Sequence, residues 1–273
     1  MSNENNDVEK TKQLISTGSE IAGAAVGGAI GFFAAGPIGA AGAGSLGVVL
    51  AKAGAKLLGD IADRVMSDRE KIRVGATAAI AFDKINKNNQ AGLKPRADEF
   101  FSSNNSARSQ SEEILEGTLK KARDEYEEKK LEFLGNFYAN VAYSSGVSVD
   151  EANYYLRLFD TITYRQLCIV CLAFMKPYHI DFQNLRDNDY RTYNNNMLAT
   201  KAILLQEVFE LDKLGLVGCR TNDGNGYSAL LGWSDIVPSK MELTALGERF
   251  QSLFMGGGKL TLLDIDAVAV QLR

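Results

Sequence analysis

The residues of this chain whose types could do chemistry are few, and the most specific are two thiols. Cys168 and Cys171 stand in CxxC spacing, and Cys219 with the only histidine, His179, completes the residue types of a four-ligand zinc site. The pair falls inside the apolar run LCIVCLAF, without the strand-to-helix context of a redox motif. A free cysteine commonly packs as a small hydrophobe, so core packing is the expectation and zinc the alternative. Asp181, Asp187 and Asp189 share a polar stretch, but their spacing fits neither an EF-hand nor a paired-carboxylate motif, and they are expected to be solvated. A single histidine with scattered carboxylates builds no Ser-His-Asp arrangement. The glycine-rich N-terminal stretch holds no GxxxxGK[ST] and follows no strand, so it does not read as a phosphate cradle. The expectation is a protein that is not an enzyme and uses no cofactor or metal.

The bulk properties point the same way. Across 273 residues, 30 basic against 34 acidic side chains leave a formal charge of −4, which argues against nucleic acid as the partner. Residues 201–273 are also acidic on balance, whereas phosphate neutralisation needs a surplus of the other sign. The first twenty residues are polar and of mixed sign, unlike a secretory signal. Three cysteines fit a reducing compartment better than a disulfide framework. The bulk of the chain is therefore expected to be cytoplasmic.

The most unusual stretch is Ile21 to Gly59, IAGAAVGGAIGFFAAGPIGAAGAGSLGVVLAKAGAKLLG, with no charged residue between Glu20 and Lys52. Every fourth position is small: Gly23, Gly27, Gly31, Ala35, Gly39, Ala43, Gly47, Ala51, Ala55 and Gly59. Gly inside a helix costs about 1 kcal/mol relative to Ala, so such a row needs close backbone approach to offset it. Small-xxx-small rows permit that approach and favour helix association in lipid. As one helix the charge-free run would be about 46 Å long, against a hydrocarbon core of about 30 Å. Gly36 and Pro37 lie near its middle and mark a hinge, since Pro removes a backbone donor. A hinged hairpin follows, with Gly23, Gly27, Gly31, Gly39 and Gly47 as its close-packing seam. Its hydrophobicity is low for insertion, because Ala and Gly dominate. Two readings stay open: a conditional membrane segment peripheral to or inserted in the membrane, and a buried hairpin of a soluble bundle. Basic residues from Lys52 to Arg73 follow the run and agree with a cytosolic flank, although acidic residues are interspersed.

The elements beyond it are mostly helical. Ala55 to Ile85 keeps a helical rhythm through Leu58, Ile61, Val65, Ile72, Ala79 and Phe82. A polar linker spans 86–111, with Phe100 and Phe101 expected to dock. Glu112 to Ser144 reads as one long helix with Leu115, Leu119, Ala122, Tyr126, Phe133, Phe137 and Val141 inward. The charge block KKARDEYEEKK at 120–130 reads as its solvated face. Ser148 with Glu151 and Thr163 with Gln166 form capping boxes for two shorter helices. Tyr154, Tyr155, Leu158 and Phe159, then Leu167, Val170 and Phe174, fold these onto the long one. After a polar loop from Pro177 to Asn196, a helix is expected over Met197 to Leu214, closed by Gly215 in the left-handed conformation. The turn signal NDGNG predicts a hairpin into Tyr227, Ala229, Leu231 and Trp233. A strand at Met241 to Leu243, a helix capped by Thr244 and a strand-like piece over Lys259 to Leu272 complete the chain. The fold class is thus mainly α: a helical bundle with an N-terminal glycine-rich hydrophobic hairpin and a small winged-helix-like α+β C-terminal part. The expected division is a polar arm 1–20, the glycine hairpin and following helix 21–85, the linker 86–111, a helical domain 112–196 and the winged-helix-like domain 197–273.

The glycine-rich segment, the run KLEFLGNFYANVAYSSGVSVDEANYYLRLFDTITYRQLCIVCLAF at 130–174, LDKLGLVG at 211–218 and LTALGERF at 243–250 together resemble a bacterial abortive-infection family, the alpha type. The resemblance implies phage defence in which an infected cell is stopped or killed, and it carries over no catalytic residues. Combined with the glycine row, it suggests a non-enzymatic effector that oligomerises in, and compromises, the bacterial inner membrane in response to a protein trigger or partner. The alternative is a soluble helical adaptor whose hairpin mediates partner binding or self-association.

Overall fold

The computed structural model describes residues 66–102, 109–192, 197–219, 230–256 and 260–273. The polar arm, the glycine seam Gly23, Gly27, Gly31, Gly39 and Gly47, the hinge Gly36 and Pro37, and Leu58, Ile61 and Val65 lie outside the described residues, as do the NDGNG turn, Tyr227 and Ala229. The described residues are mainly helical and carry one two-stranded sheet. They form two compact units, one reaching to Thr161 and the other starting at Ile162.

In the first unit, α1 runs Asp68–Gln90, α2 Gln110–Asp124, α3 Leu131–Ala142 and α4 Val149–Asp160. Helix α1 opens with a capping box in which the Ser67 hydroxyl accepts from the Glu70 N–H while the Glu70 carboxylate accepts from the Ser67 N–H. It runs past the expected boundary at 85, because Ile85 is buried and Gly92, at φ +77°, turns the chain only later. Ala76, Ala78, Ala79 and Ala81 keep this helix thin where it packs on α3. At the crossing, a Cβ on Gly135 would stand 2.8 Å from the Ile80 side chain and from the Thr77 carbonyl. The linker is pinned by buried Arg96, whose guanidinium donates to the Val147 carbonyl at 2.9 Å and to Asp98, and lies over the Phe100 ring. Phe100 docks as expected, at 1% exposure.

The expected single helix over 112–144 is two helices. Glu125 is extended, at φ −72° and ψ 121°, and the chain re-enters helix through a 3-10 turn over Glu128–Lys130. As a result Tyr126, expected inward, is 80% exposed, whereas Leu115, Leu119, Ala122, Phe133, Phe137 and Val141 are all buried. At the break Lys130 and Glu125, read as solvated, are buried against each other, with Arg73 of α1 on the Glu125 carbonyl and Phe159 of α4 beside the Lys130 ammonium. Helix α4 starts where the Ser148 hydroxyl accepts from the Glu151 N–H. Tyr155, Leu158 and Phe159 face inward, whereas Tyr154 and, farther on, Phe174, both expected inward, are each 39% exposed.

In the second unit, α5 runs Tyr164–Met175, α6 Ala199–Lys213, α7 Ala245–Phe254 and α8 Leu262–Gln271, while β1 Val217–Cys219 pairs antiparallel with β2 Met241–Leu243. The Thr163–Gln166 capping box opens α5, which ends two residues before Pro177. Gly215 closes α6 at φ +71°. The partner of β1 is β2, with Val217 opposite Leu243 and Cys219 opposite Met241. Trp233 lies in a 3-10 turn rather than a strand. The piece expected as strand over Lys259 to Leu272 is helix α8. Its N-cap Thr261 accepts from the Asp264 N–H, and buried Ile265, Val268, Ala269 and Leu272 recur at helical steps that override the β-branched content. Helix α8 packs on α5, and the Tyr164 hydroxyl donates to the Asp264 carboxylate at 3.0 Å. The Lys176 ammonium donates to the carbonyls of Ser239 and Met241, tying the end of α5 to the sheet.

Candidate functional site

The thiol pair sits in the middle of α5, where its two sulfurs are three residues apart on one buried helix. Cys168 is 2% exposed and Cys171 8%, neither is in a disulfide, and burial pushes the Cys171 thiol up to about 12. The Cys171 sulfur lies 3.5 Å from the Met255 thioether. A thiol held protonated in this way is neither a nucleophile nor a ready metal ligand. His179 lies in the loop after α5, stacked on Phe182 and 3.5 Å from the Asp181 carboxylate. Among the described residues no group of three His, Cys, Asp or Glu side chains is arranged to hold a metal ion. Asp181 and Asp187 are exposed, and Asp189 faces Arg191 at 3.7 Å. The carboxylates are solvated, as expected.

The polar side chains that burial does concentrate are elsewhere. The Lys130 ammonium meets the Glu125 carboxylate at 2.5 Å, with side chains 3% and 7% exposed. The Phe159 ring lies 4.9 Å from the same ammonium, and Arg73 from α1 donates to the Glu125 carbonyl. Sequence reasoning placed both charges on a solvated face, yet a signal was present: Lys130 falls four residues after Tyr126 and three before Phe133, on the apolar stripe. In the second unit, Arg165 pairs with Glu207 at 2.5 Å, and the buried Gln166 amide donates to Glu210 at 3.0 Å, so α5 and α6 are joined by polar as well as apolar contacts. Each of these groups meets a partner of opposite charge or a hydrogen-bond partner within its own unit, which is the pattern of structural ties.

The segments LDKLGLVG and LTALGERF meet in space. The Thr244 N–H donates to the Leu216 carbonyl at 3.2 Å, its hydroxyl donates to the Gly215 carbonyl, and the same hydroxyl accepts from the Gly247 N–H at 3.0 Å. Gly247 must be glycine for space, because a Cβ there would lie 1.9 Å from the Leu216 oxygen. Both segments are therefore packing signatures of the small sheet.

The surface of the second unit carries large apolar side chains, with Leu263 79%, Tyr178 82%, Ile180 75% and Leu198 73% exposed. No single helix among the described residues is long and apolar enough to cross a membrane. No family model matches the chain, and comparison with curated proteins and with solved structures finds no match.

Proposed function

We propose that this chain is a non-enzymatic effector of bacterial phage defence that acts at the inner membrane. The observation that carries the reading is the charge-free stretch between Glu20 and Lys52 with its small residue at every fourth position. A row of that regularity supports close helix approach over several turns, which serves association in lipid where burial from water no longer drives it. In this reading the segment forms a hinged hairpin about Gly36 and Pro37. Gly23, Gly27, Gly31, Gly39 and Gly47 make the seam of a homo-oligomer, and the helical units from Ser67 onward, with a winged-helix-like end, stay on the cytoplasmic side to sense or restrain it. The resemblance to the alpha-type abortive-infection family supports the same role.

A second reading, a soluble adaptor, is favoured by the exposed apolar side chains of the second unit, which suit a protein partner. Expression of the full chain and of a chain starting at Ser67, followed by cell fractionation and entry of a membrane-impermeant dye, separates the two. The truncation point keeps the capping box of α1 intact. Membrane recovery and dye entry that need residues 1–66, and that are lost in Gly27→Leu/Gly31→Leu, are the expected result. Soluble recovery of both chains with intact cells refutes the membrane reading and leaves the adaptor.

A further inference from the structure

Helix α8 carries two apolar faces. Ile265, Val268, Ala269 and Leu272 recur at helical steps and are buried. Leu263, Ala267 and Val270 recur at steps of four and three on the opposite side, and all three are exposed, Leu263 at 79% and Val270 at 53%. A surface helix of a soluble unit ordinarily turns polar residues to that side. Packing on α5 uses one face of α8, and the other leaves an aliphatic stripe in water.

The stripe has apolar neighbours. The Arg273 guanidinium donates to the Asp266 carboxylate at 3.2 Å and to the Asp181 carbonyl at 3.0 Å, so the loop after α5 runs beside the C-terminal end of the stripe. That loop exposes Tyr178 and Ile180, and the Tyr178 ring lies 6.1 Å from that of Phe174. Leu263, Val270, Ile180, Tyr178 and Phe174 together leave roughly 700 Å² in water, more than the about 300 to 600 Å² of the largest apolar patch on a typical monomer. That area is close to the about 800 Å² that each partner brings to a standard interface. The composition suits an interface as well, with aliphatic and tyrosine side chains beside a polar rim.

Two features say what covers this face. The stripe reads nearly alike in either direction, since Ala267 has Leu263 four residues before it and Val270 three after it. A two-fold axis at Ala267 therefore sets Leu263 of one copy against Val270 of the other, twice over, which is the isologous arrangement in which a patch covers itself. At the axis Ala267 offers only a methyl group, so the two helices can come close. The second feature is charge. Asp266 and Arg273 flank the stripe and pair with each other, so a second copy meets no uncompensated like charge from them.

We infer that the exposed face of α8, with Ile180 and Tyr178 beside it, is the interface of an antiparallel α8 pair between two copies of this chain. The pairing names a partner for the exposed apolar side chains of the second unit. It uses no residue of the glycine row, so it and the membrane reading can fail separately.

The test is cross-linking of the full chain through a cysteine placed at the axis. A267C is oxidised and compared on a non-reducing gel with wild type, which keeps Cys168, Cys171 and Cys219, and with K213C, at an exposed position on α6. A disulfide needs two Cα atoms within about 4.4 to 6.8 Å, which close approach at the axis provides. The expected result is a linked dimer as the main product of A267C alone, reduced by about tenfold or more in L263E/A267C, where a charge enters the apolar contact. Leu263 is exposed in the first turn of α8, where an acidic side chain suits the helix, so L263E leaves the unit folded. G27L/G31L/A267C should link as fully as A267C. No more dimer from A267C than from wild type or K213C, or an undiminished dimer in L263E/A267C, overturns the pairing. Loss of the dimer in G27L/G31L/A267C also overturns it, and assigns the contact between copies to the glycine row.

Discussion

The strongest steric demand in the described structure is at Gly247, in the first turn of α7, and replacing it with Ala tests whether space alone fixes that residue. Two effects oppose. Ala is favoured over Gly inside a helix by about 1 kcal/mol. Its Cβ, however, would sit 1.9 Å from the Leu216 oxygen and 2.9 Å from the Leu216 carbonyl carbon, both backbone atoms with no rotamer to give. To reach even the closest contact that real Cβ atoms show, the Leu216 carbonyl must retreat by about 1.1 Å. That carbonyl accepts the Thr244 N–H, and its neighbour on Gly215 accepts the Thr244 hydroxyl. Losing both costs about 2 kcal/mol at about 1 kcal/mol each, and overpacking adds about 1 to 3 kcal/mol. After the helix gain, the net expectation is a destabilisation of about 3 kcal/mol. Trp233, the only tryptophan, lies in the same unit and reports its unfolding. Urea titration by tryptophan fluorescence should show the midpoint of Gly247→Ala lowered by about 1 to 2 M. Gly232→Ala is the control in the same unit, since its backbone is extended and a Cβ there would meet nothing within 4 Å. An unchanged or raised midpoint for Gly247→Ala refutes the reasoning, because Leu216 would then be yielding at no cost.

Two further tests concern titration and thiol chemistry. Burial lowers the Lys84 ammonium from 10.5 to about 8, with Glu132 opposing the shift. Between those values the unfolded chain binds more protons than the folded one, so the penalty this group puts on folding is relieved as pH rises from about 8 toward 10.5. Measured against Lys84→Met across that range, wild type should gain stability relative to the variant, and a flat difference refutes the assignment. Cys168 and Cys171 should stay unmodified when the native protein meets iodoacetamide at about pH 8, and should react in denaturant, as read by peptide mass mapping. A chelator should leave the melting temperature unchanged. Rapid labelling of either thiol in the native protein, or a melting temperature lowered by chelation, overturns the core-packing assignment.

What the sequence made legible was whatever depends on neighbours within a turn or two. Thr163, Ser148 and Thr244 announce helix starts because a short hydroxyl reaches only the next N–H groups. Gly215 ends α6 because few other residues adopt its φ without strain. The misreadings fall where packing against elements far along the chain decides which residues are buried. At the bend that divides 112–144 into two helices, Arg73 of α1 and Phe159 of α4 lie against the buried Glu125–Lys130 pair, although the helical pattern runs through the bend. The last helix looks like a strand because Val268 and Val270 alternate, but burial follows Ile265, Val268, Ala269 and Leu272. The candidate site divides in the same way. The thiol pair was legible as core from its apolar run alone, whereas the Glu125–Lys130 pair needed three-dimensional information to separate it from the solvated charges beside it.

The described glycines also bear on the undescribed ones. In the two helical units, glycine appears singly where two backbones must come close, as at Gly135 against Thr77 and Ile80, and at Gly247 against Leu216. One missing Cβ is enough for each crossing, because elements that meet at an angle touch closely at a single point. A row of ten small residues at a period of four answers a different need. Rows of that kind suit an extended, nearly parallel helix contact rather than a single angled crossing. On the membrane reading proposed above, Gly23 to Gly59 would serve as a surface for repeated self-contact along its length. Substituting Leu at Gly27 and Gly31 is aimed at the centre of one arm of that surface.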